Sequence, residues 1–170
     1  MSPDLEALFA AAKTAQARAY APYSKFRVGA ALRTASGTVH AGCNVENAAY
    51  PVGTCAEAGA IAAMVAAGEN GLREILVIGD GEALVTPCGA CRQRIREFGG
   101  PQTRIHVAGP EGVRRTFALE ELLPFAFGPD NRAPDEGSSY AERRCRRKRS
   151  AKNATGSRSS RRRSKNSSPG

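Results

Sequence analysis

The sequence predicts an α/β protein: a mixed five-stranded sheet with helices on both faces, in an α/β/α arrangement. Segments of helical periodicity alternate with short strand-like segments over residues 1–132, and such alternation packs helices against a sheet. Two pairs of strands are joined by glycine-containing turns, which indicates hairpins. A continuous apolar run at residues 75–78 is typical of a strand buried on both faces.

The first predicted element is a helix that runs from Ser2 to about Tyr20. Ser2 is a suitable N-cap, Pro3 suits the first helical position, and Asp4 favours the first turn. Apolar residues then recur at helical spacing, namely Leu5, Leu8, Phe9 and Ala12. The Ala-Pro-Tyr-Ser sequence at residues 21–24 ends the helix, because proline disrupts a helix interior.

A hairpin and a second helix follow. Strands are predicted over residues 26–34 and 38–44, with Ser36 and Gly37 as the turn between them. Residues 55–67 are rich in alanine, carry apolar residues at helical spacing and precede Gly68, which favours a helix end.

The second half of the body repeats this alternation. A buried strand is predicted over residues 74–79, and a helix over residues 87–98 begins at Pro87 and ends at two glycines. Strands at residues 104–108 and 113–117 are joined by a Gly-Pro-Glu-Gly turn, and a short helix covers residues 119–123.

The positive charge of the chain lies in its last part. The chain has 25 basic and 16 acidic residues, a net charge of +9, and residues 133–170 alone hold 12 basic and 3 acidic ones. Residues 1–132 therefore hold 13 of each and are neutral. The net positive charge of the whole chain thus gives no indication of what residues 1–132 bind.

The sequence divides into a folded domain over residues 1–132 and an Arg/Ser-rich tail over residues 133–170. The tail has almost no aliphatic residues except alanine, and such a composition predicts disorder. Its basic clusters leave three interpretations open: nucleic-acid binding through phosphates, a solvated extension, or a stretch outside the original reading frame.

Several observations predict a cytoplasmic protein without a membrane partner. The longest apolar runs are far too short to span a bilayer. The N-terminus is acidic and lacks the pattern of a signal peptide. The chain has five cysteines, an odd number, and three of them stand at metal-like spacings, which in a reducing compartment favours metal binding over disulfides.

Two short motifs carry the chemistry: Cys55-Ala-Glu57 and Pro87-Cys88-Gly-Ala-Cys91. Three protein ligands leave one zinc position open for water, and a nearby carboxylate can move the protons of that water. Because Glu57 lies two residues past Cys55, it reaches such a site only if the first helical turn lies across it. Each motif alone is ambiguous, since Cys-x-x-Cys also occurs in redox pairs and structural zinc sites.

Four segments resemble the small, homotetrameric, three-cysteine zinc type of cytidine deaminase. The resemblance covers about residues 3–131 and rests on the segments 20–31, 42–51, 87–93 and 122–129. It implies hydrolytic deamination of cytidine and deoxycytidine to uridine and deoxyuridine plus ammonia, as in pyrimidine salvage. It also implies one Zn²⁺ per subunit, held by Cys55, Cys88 and Cys91, with Glu57 as the catalytic proton carrier.

The resemblance further implies a nucleoside site. Phe26 would stack on the pyrimidine, and Asn44 and Glu46 would bind the ribose hydroxyls. The remaining pocket residues would be Val45, Asn47, Ala48, Ala49 and Tyr50. Phe127 would contact the site of a neighbouring subunit. Without the resemblance, Phe26 is equally a core residue, and Asn44 and Glu46 are ordinary loop residues.

One position departs from the family pattern. Many relatives carry arginine directly after the catalytic glutamate, and this chain has Ala58 there. The charge of three thiolates then needs another partner, for which Arg92, Gln93 and backbone N–H groups are candidates.

Two rival functions stay open at this point. One is deamination of cytosine in RNA or single-stranded DNA with help from the basic tail. The other is a non-catalytic, zinc-stabilised binding module, which would need neither Glu57 nor an open coordination position.

Overall fold

The computed structural model describes residues 2–132. Residues up to Pro129 form a compact unit. The tail predicted from residue 133 onward lies outside the described residues, so its predicted disorder and the domain boundary stay predictions. Among residues 2–132, the helices lack the length and apolar character needed to cross a bilayer.

The elements follow the predicted order, with small shifts at their ends. They are α1 (Pro3–Ala17), β1 (Val28–Thr34), β2 (Val39–Cys43), α2 (Ala56–Ala66), β3 (Leu72–Gly79), α3 (Gly89–Phe98), β4 (Arg104–Gly109), β5 (Gly112–Ala118) and α4 (Leu119–Leu122). Short 3₁₀ turns occur at Tyr50–Val52 and Pro129–Asn131.

The first helix ends earlier than the sequence predicts. It ends at Ala17 and not near Tyr20, because Tyr20 pairs with the segment after β2. The backbone N–H of Tyr20 donates to the carbonyl of Asn44, and the Tyr20 carbonyl accepts from Glu46. These bonds satisfy backbone groups that a longer helix would have satisfied internally.

The five strands form one mixed sheet in the order β2-β1-β3-β4-β5. The β3–β4 pair is parallel, and the other three pairs are antiparallel. The α3 helix provides the connection between the parallel strands, as such a pair requires. The predicted fold class is therefore confirmed.

Helices cover both faces of this sheet. On one face α1 packs through Leu8 and Ala12 against Ala31, Leu76 and Ile78. The opposite face meets α2, α3 and α4 in a larger cluster that includes Ala30, Ala60, Met64, Ile75, Val77 and Ile95. Neighbouring residues of β1 and β3 thus belong to opposite faces, as the two-residue period of a strand requires.

Gly42 lets α2 lie directly against β2. A Cβ atom at Gly42 would stand 2.6 Å from the carbonyl oxygen of Ala56 and 2.7 Å from the carbonyl carbon of Gly59. No side chain fits into such a gap against helix backbone. This close approach brings the first turn of α2, with Glu57, next to the end of β2 and the residues that follow it.

A polar cluster ties the β1–β2 hairpin to the segment after α2. Glu69 accepts hydrogen bonds from Thr34 at 3.1 Å and from Ser36, and its second oxygen lies 2.8 Å from His40 Nε2. These hydrogen bonds, first that of His40, lower the pKa of the Glu69 carboxyl to about 2.

The Glu69 carboxylate should stabilise the protein above its unfolded pKa and lose this effect in acid. Because the folded pKa is lowered from 4.5 to about 2, the contribution disappears as the pH falls through that interval. Urea unfolding followed by circular dichroism at about pH 6 and about pH 3 would compare wild type with Glu69→Gln. The stability difference between the two proteins should shrink at the lower pH. An unchanged difference would contradict this role of Glu69.

Candidate active site and metal centre

Three cysteines from two helix N-termini come together. Cys55 is the N-cap of α2, Cys88 is the N-cap of α3, and Cys91 lies in the first turn of α3. Their sulfur atoms all lie within 4.8 Å of one another, and those of Cys55 and Cys88 are 4.0 Å apart. Thiolates on one tetrahedral zinc at about 2.3 Å stand about 3.8 Å apart, so the cluster fits zinc.

The protein environment acts differently on the three thiols. Burial raises the pKa of Cys55 and of Cys91. Burial also opposes ionisation of Cys88, but hydrogen bonds from the Cys91 backbone N–H and from the two neighbouring thiols lower its pKa. A bound dication favours all three thiolates, so metal binding should release protons from this cluster.

Glu57 lies in the first turn of α2 and is 4% exposed. Burial raises the pKa of its carboxyl, while hydrogen bonds with its own backbone and with the Cys91 thiol, and the charge of Arg94, act in the opposite direction. The contact with Cys91 means that this turn lies across the cluster, the condition that the sequence required. A buried carboxyl with a raised pKa is suited to proton transfer near neutral pH.

Three kinds of group were predicted to offset the thiolate charge in the absence of an arginine at position 58: Arg92, Gln93 and backbone N–H groups. They differ in the atoms to which they donate hydrogen bonds. Arg92 donates to the carbonyls of Pro87 and Leu122, at 2.7 and 2.8 Å, and to the Thr86 hydroxyl at 3.1 Å. Gln93 donates to the carbonyl of Phe127 at 2.9 Å. Both side chains therefore hold neighbouring backbone segments. Of the three candidates, it is a backbone N–H, that of Cys91, that donates to a thiol sulfur.

A cavity of about 530 Å³ opens beside Cys55. It contains five of the predicted substrate residues, namely Asn44, Val45, Glu46, Asn47 and Tyr50. Its other lining residues are Tyr23, Ser24, Gly53 and Thr54. A volume of this size suits a small organic ligand.

The other predicted substrate residues do not line this cavity. Phe26 is 40% exposed in the loop before β1, and Ala48 and Ala49 lie in the exposed segment before the 3₁₀ turn at Tyr50–Val52. Phe127 is 59% exposed near the end of the compact unit. The interpretation of Phe26 as a core residue does not agree with this exposure.

The side chain of Asn44 holds the start of β1. Its Oδ1 accepts from the backbone N–H of Val28 at 2.9 Å, and its Nδ2 donates to the carbonyl of Phe26 at 2.9 Å. One lone pair of Oδ1 and one hydrogen of Nδ2 remain outside these two bonds. Asn44 is thus both a structural link and a polar group of the cavity.

Glu46 makes a similar set of contacts with the loop before β1. Its carboxylate accepts from the backbone N–H groups of Tyr23 and Ser24, at 2.9 and 3.2 Å, and from the Ser24 hydroxyl. These hydrogen bonds, first that of the Ser24 side chain, lower the pKa of Glu46. Glu46 is therefore an acceptor for hydroxyl and N–H donors at the cavity wall.

Sequence reasoning did not assign four cavity residues. Tyr23 lies near Tyr50, with ring centroids 5.9 Å apart, and Thr54 pairs with Val45 through two backbone hydrogen bonds of 2.9 Å. The backbone pairing of Val45 with Thr54 has no signature in the sequence. Tyr23 and Ser24 lie in the segment 20–31, close in sequence to Phe26. This proximity to a predicted substrate residue was the sequence feature that could have identified them.

Comparisons with known proteins agree with this site. The model of the cytidine and deoxycytidylate deaminase zinc-binding region matches residues 2–107. A cytidine deaminase of Sporosarcina psychrophila is 41% identical over 128 residues, 75% of this chain and 94% of that protein. The crystal structure of cytidine deaminase from Burkholderia pseudomallei, at 44% identity, superposes with a TM-score of 0.69 over 75% of this chain and all of the other.

A second solved structure gives the same result. Cytidine deaminase from Mycobacterium tuberculosis is 40% identical, with a TM-score of 0.62 over 72% of this chain and 96% of the other. The match thus spans the body that carries the three thiols, the buried carboxyl and the cavity. This chain belongs to the cytidine and deoxycytidylate deaminase family.

Proposed function

We propose that this protein is a zinc-dependent cytidine deaminase that hydrolyses cytidine and deoxycytidine to uridine and deoxyuridine, releasing ammonia. One observation carries the proposal. The buried Glu57 carboxyl contacts a three-thiol cluster whose Cys55 also lines a cavity of about 530 Å³. A buried carboxyl, a thiol cluster and a cavity therefore lie next to one another, which supports their roles as proton carrier, metal site and substrate space.

Cys55, Cys88 and Cys91 would hold the zinc ion. When bound, zinc supplies a Lewis acid that makes water a usable nucleophile near neutral pH. Water adds at C4 of the cytosine ring, and the exocyclic amine leaves as ammonia. The net reaction adds one water and releases one ammonia.

Glu57 would move the protons in this reaction. Its carboxylate takes a proton from water and gives it to ring N3. It then takes the proton of the new hydroxyl group at C4 and gives it to the departing amine, which leaves as ammonia while the C4 carbonyl forms. Burial supports both steps, because the raised pKa brings the neutral and charged forms closer in energy near neutral pH. The same carboxyl can thus act first as base and then as acid.

Asn44 and Glu46 would bind the ribose hydroxyls. The Glu46 carboxylate has about four acceptor positions, and the loop uses three of them. One position is left for a hydroxyl donor. Val45, Asn47 and Tyr50 would form the wall around the nucleoside, Ala48 and Ala49 would belong to the same segment, and Phe26 would stack on the base from the loop before β1.

The relatives named cytidine deaminase favour a free nucleoside over a nucleic-acid strand or a purely structural zinc module. The test follows the loss of cytidine absorbance with zinc-loaded full-length protein and with protein truncated after residue 132, each at two salt concentrations. Both proteins should turn over cytidine equally at either salt concentration. A zinc-loaded full-length protein without turnover would disprove the function, and a large loss on truncation would show that the tail takes part.

A homotetramer is part of this proposal. Support comes from aromatic residues that are exposed in the single chain: Tyr50 at 75%, Phe125 fully, and Phe127 at 59%. Phe127 would reach the site of a neighbouring subunit. The cytoplasmic location is proposed from the three thiols, which suit a reducing compartment.

A further inference from the structure

The loop before β1 contains a backbone conformation that side-chain-bearing residues avoid. Lys25 has a φ of +59°, in the left-handed region. This conformation is strained for an L-residue, so the surroundings of Lys25 must hold it. This residue directly precedes Phe26, the proposed stacking partner of the base.

Hydrogen bonds on either side of Lys25 hold this conformation. The Ser24 hydroxyl oxygen accepts from the backbone N–H of Phe26 at 3.0 Å, and the same hydroxyl donates to the carboxylate of Glu46. The backbone N–H of Lys25 donates to the carbonyl of Ala21 at 3.2 Å. Ser24 is thus the link that joins Glu46, on the cavity wall, to the N–H of Phe26.

The other end of Phe26 is held as well. Its carbonyl accepts from Asn44 Nδ2 at 2.9 Å. Both backbone polar groups of Phe26 are therefore bonded to the group of residues that lines the cavity, one through Ser24 and one through Asn44. These two links hold the backbone of Phe26 on both sides, and the position of that backbone limits where the partly exposed ring can lie.

We propose that Ser24 is a positioning residue that sets the place of the Phe26 ring at the nucleoside site. This inference rests on the proposed function, in which Phe26 stacks on the pyrimidine. Ser24 acts through its hydroxyl, which orders the turn at Lys25 and connects it to Glu46. Replacement of Ser24 by alanine removes both hydrogen bonds of the hydroxyl. Lys25, in its left-handed conformation, then loses the side-chain contacts that hold the turn.

A first experiment measures the order of the loop without any turnover. The chain has no tryptophan, so Phe26→Trp places a single tryptophan in the loop, and its fluorescence is excited selectively over that of tyrosine. Acrylamide quenching and fluorescence anisotropy are compared in three proteins that all carry Phe26→Trp: the parent with Ser24, the variant with Ser24→Ala and the variant with Ser24→Thr. Alanine should raise quenching and lower anisotropy, whereas threonine should keep the values of the parent, because it retains the hydroxyl. Equal values in all three proteins would overturn the proposal.

A second experiment separates positioning from general damage. With Phe26 present, Ser24→Ala should raise the KM for cytidine roughly 3- to 30-fold, and Ser24→Thr should restore most of it, since one exposed hydrogen-bond link changes binding by about one factor of ten. The kcat should change much less than the KM. A fall in kcat alone, or no rescue by threonine, would overturn the proposal.

Thr14→Ala is the matched control for loss of a hydroxyl. Thr14 is exposed on α1, and its hydroxyl donates to the carbonyl of Ala10 at 2.9 Å, outside the cavity lining. Its KM and kcat should equal those of wild type. If wild type itself fails to turn over cytidine, the proposed function is wrong, while the fluorescence comparison still decides the role of Ser24 in the loop.

Discussion

Glu57→Gln should lower kcat by about 10²- to 10⁴-fold, the range typical of general acid–base catalysis. Glutamine has nearly the same shape but cannot carry a proton between water, ring N3 and the amine. Because the interaction is made in the transition state, kcat and kcat/KM should fall together. The change is measured from the loss of cytidine absorbance under saturating and limiting substrate.

The metal and the fold should survive this substitution. Glu57 does not belong to the three-thiol cluster, so the zinc content per chain should stay unchanged. Since burial raises the pKa of Glu57, a neutral amide removes an unfavourable buried charge, and thermal stability should not decrease. Glu97→Gln, at an exposed position on α3, is the matched control and should keep full activity. An active, zinc-loaded Glu57→Gln protein would contradict the mechanism.

Gly42→Ala should destabilise the protein by about 1–3 kcal/mol, the usual effect of overpacking. The added methyl group would lie 2.6 Å from the Ala56 carbonyl oxygen, and the atoms in its way are helix backbone, which cannot rotate aside. The gain expected from replacing a strand glycine, about 0.5–1 kcal/mol, is smaller. Because α2 carries Glu57 and begins at Cys55, the shift should also lower kcat/KM and zinc affinity.

Urea unfolding followed by circular dichroism measures the loss, and a zinc-chelator competition measures the affinity. Gly100→Ala is the control, since a Cβ there meets no atom within 4 Å and its φ lies outside the left-handed region. Its stability should equal or exceed that of wild type. If Gly42→Ala matched wild type in both stability and zinc affinity, the close packing of α2 on β2 would not be needed for the site.

Most secondary-structure elements could be predicted from the sequence because their signals are local. The N-cap and proline at Ser2-Pro3, the glycine after α2 and the two glycines at residues 99 and 100 all lie at element ends in the structure. The error at the end of α1 has a non-local cause, since Tyr20 bonds to Asn44 and Glu46.

Buried charge is a second feature that local patterns did not reveal. Arg33 and Glu74 are both buried, and Arg33 Nε donates to the Glu74 carboxylate at 2.9 Å. Arg104 adds a second bond to Glu74 at 2.8 Å. Strands β1, β3 and β4 are neighbours only because of the sheet order, so their charge pairing depends on the register.

The sequence by itself determined the family, the order of the helices and strands, and the spacing of the three cysteines. Short motifs and periodicities depend only on residues close together in the chain. Tertiary structure alone decided that the sulfurs of Cys55 and Cys88, 33 residues apart, stand within 4.0 Å. It also turned Glu57 toward that cluster and joined Glu46 to Ser24. These contacts depend on the close packing of α2 at Gly42 and on strand register, and local sequence specifies neither.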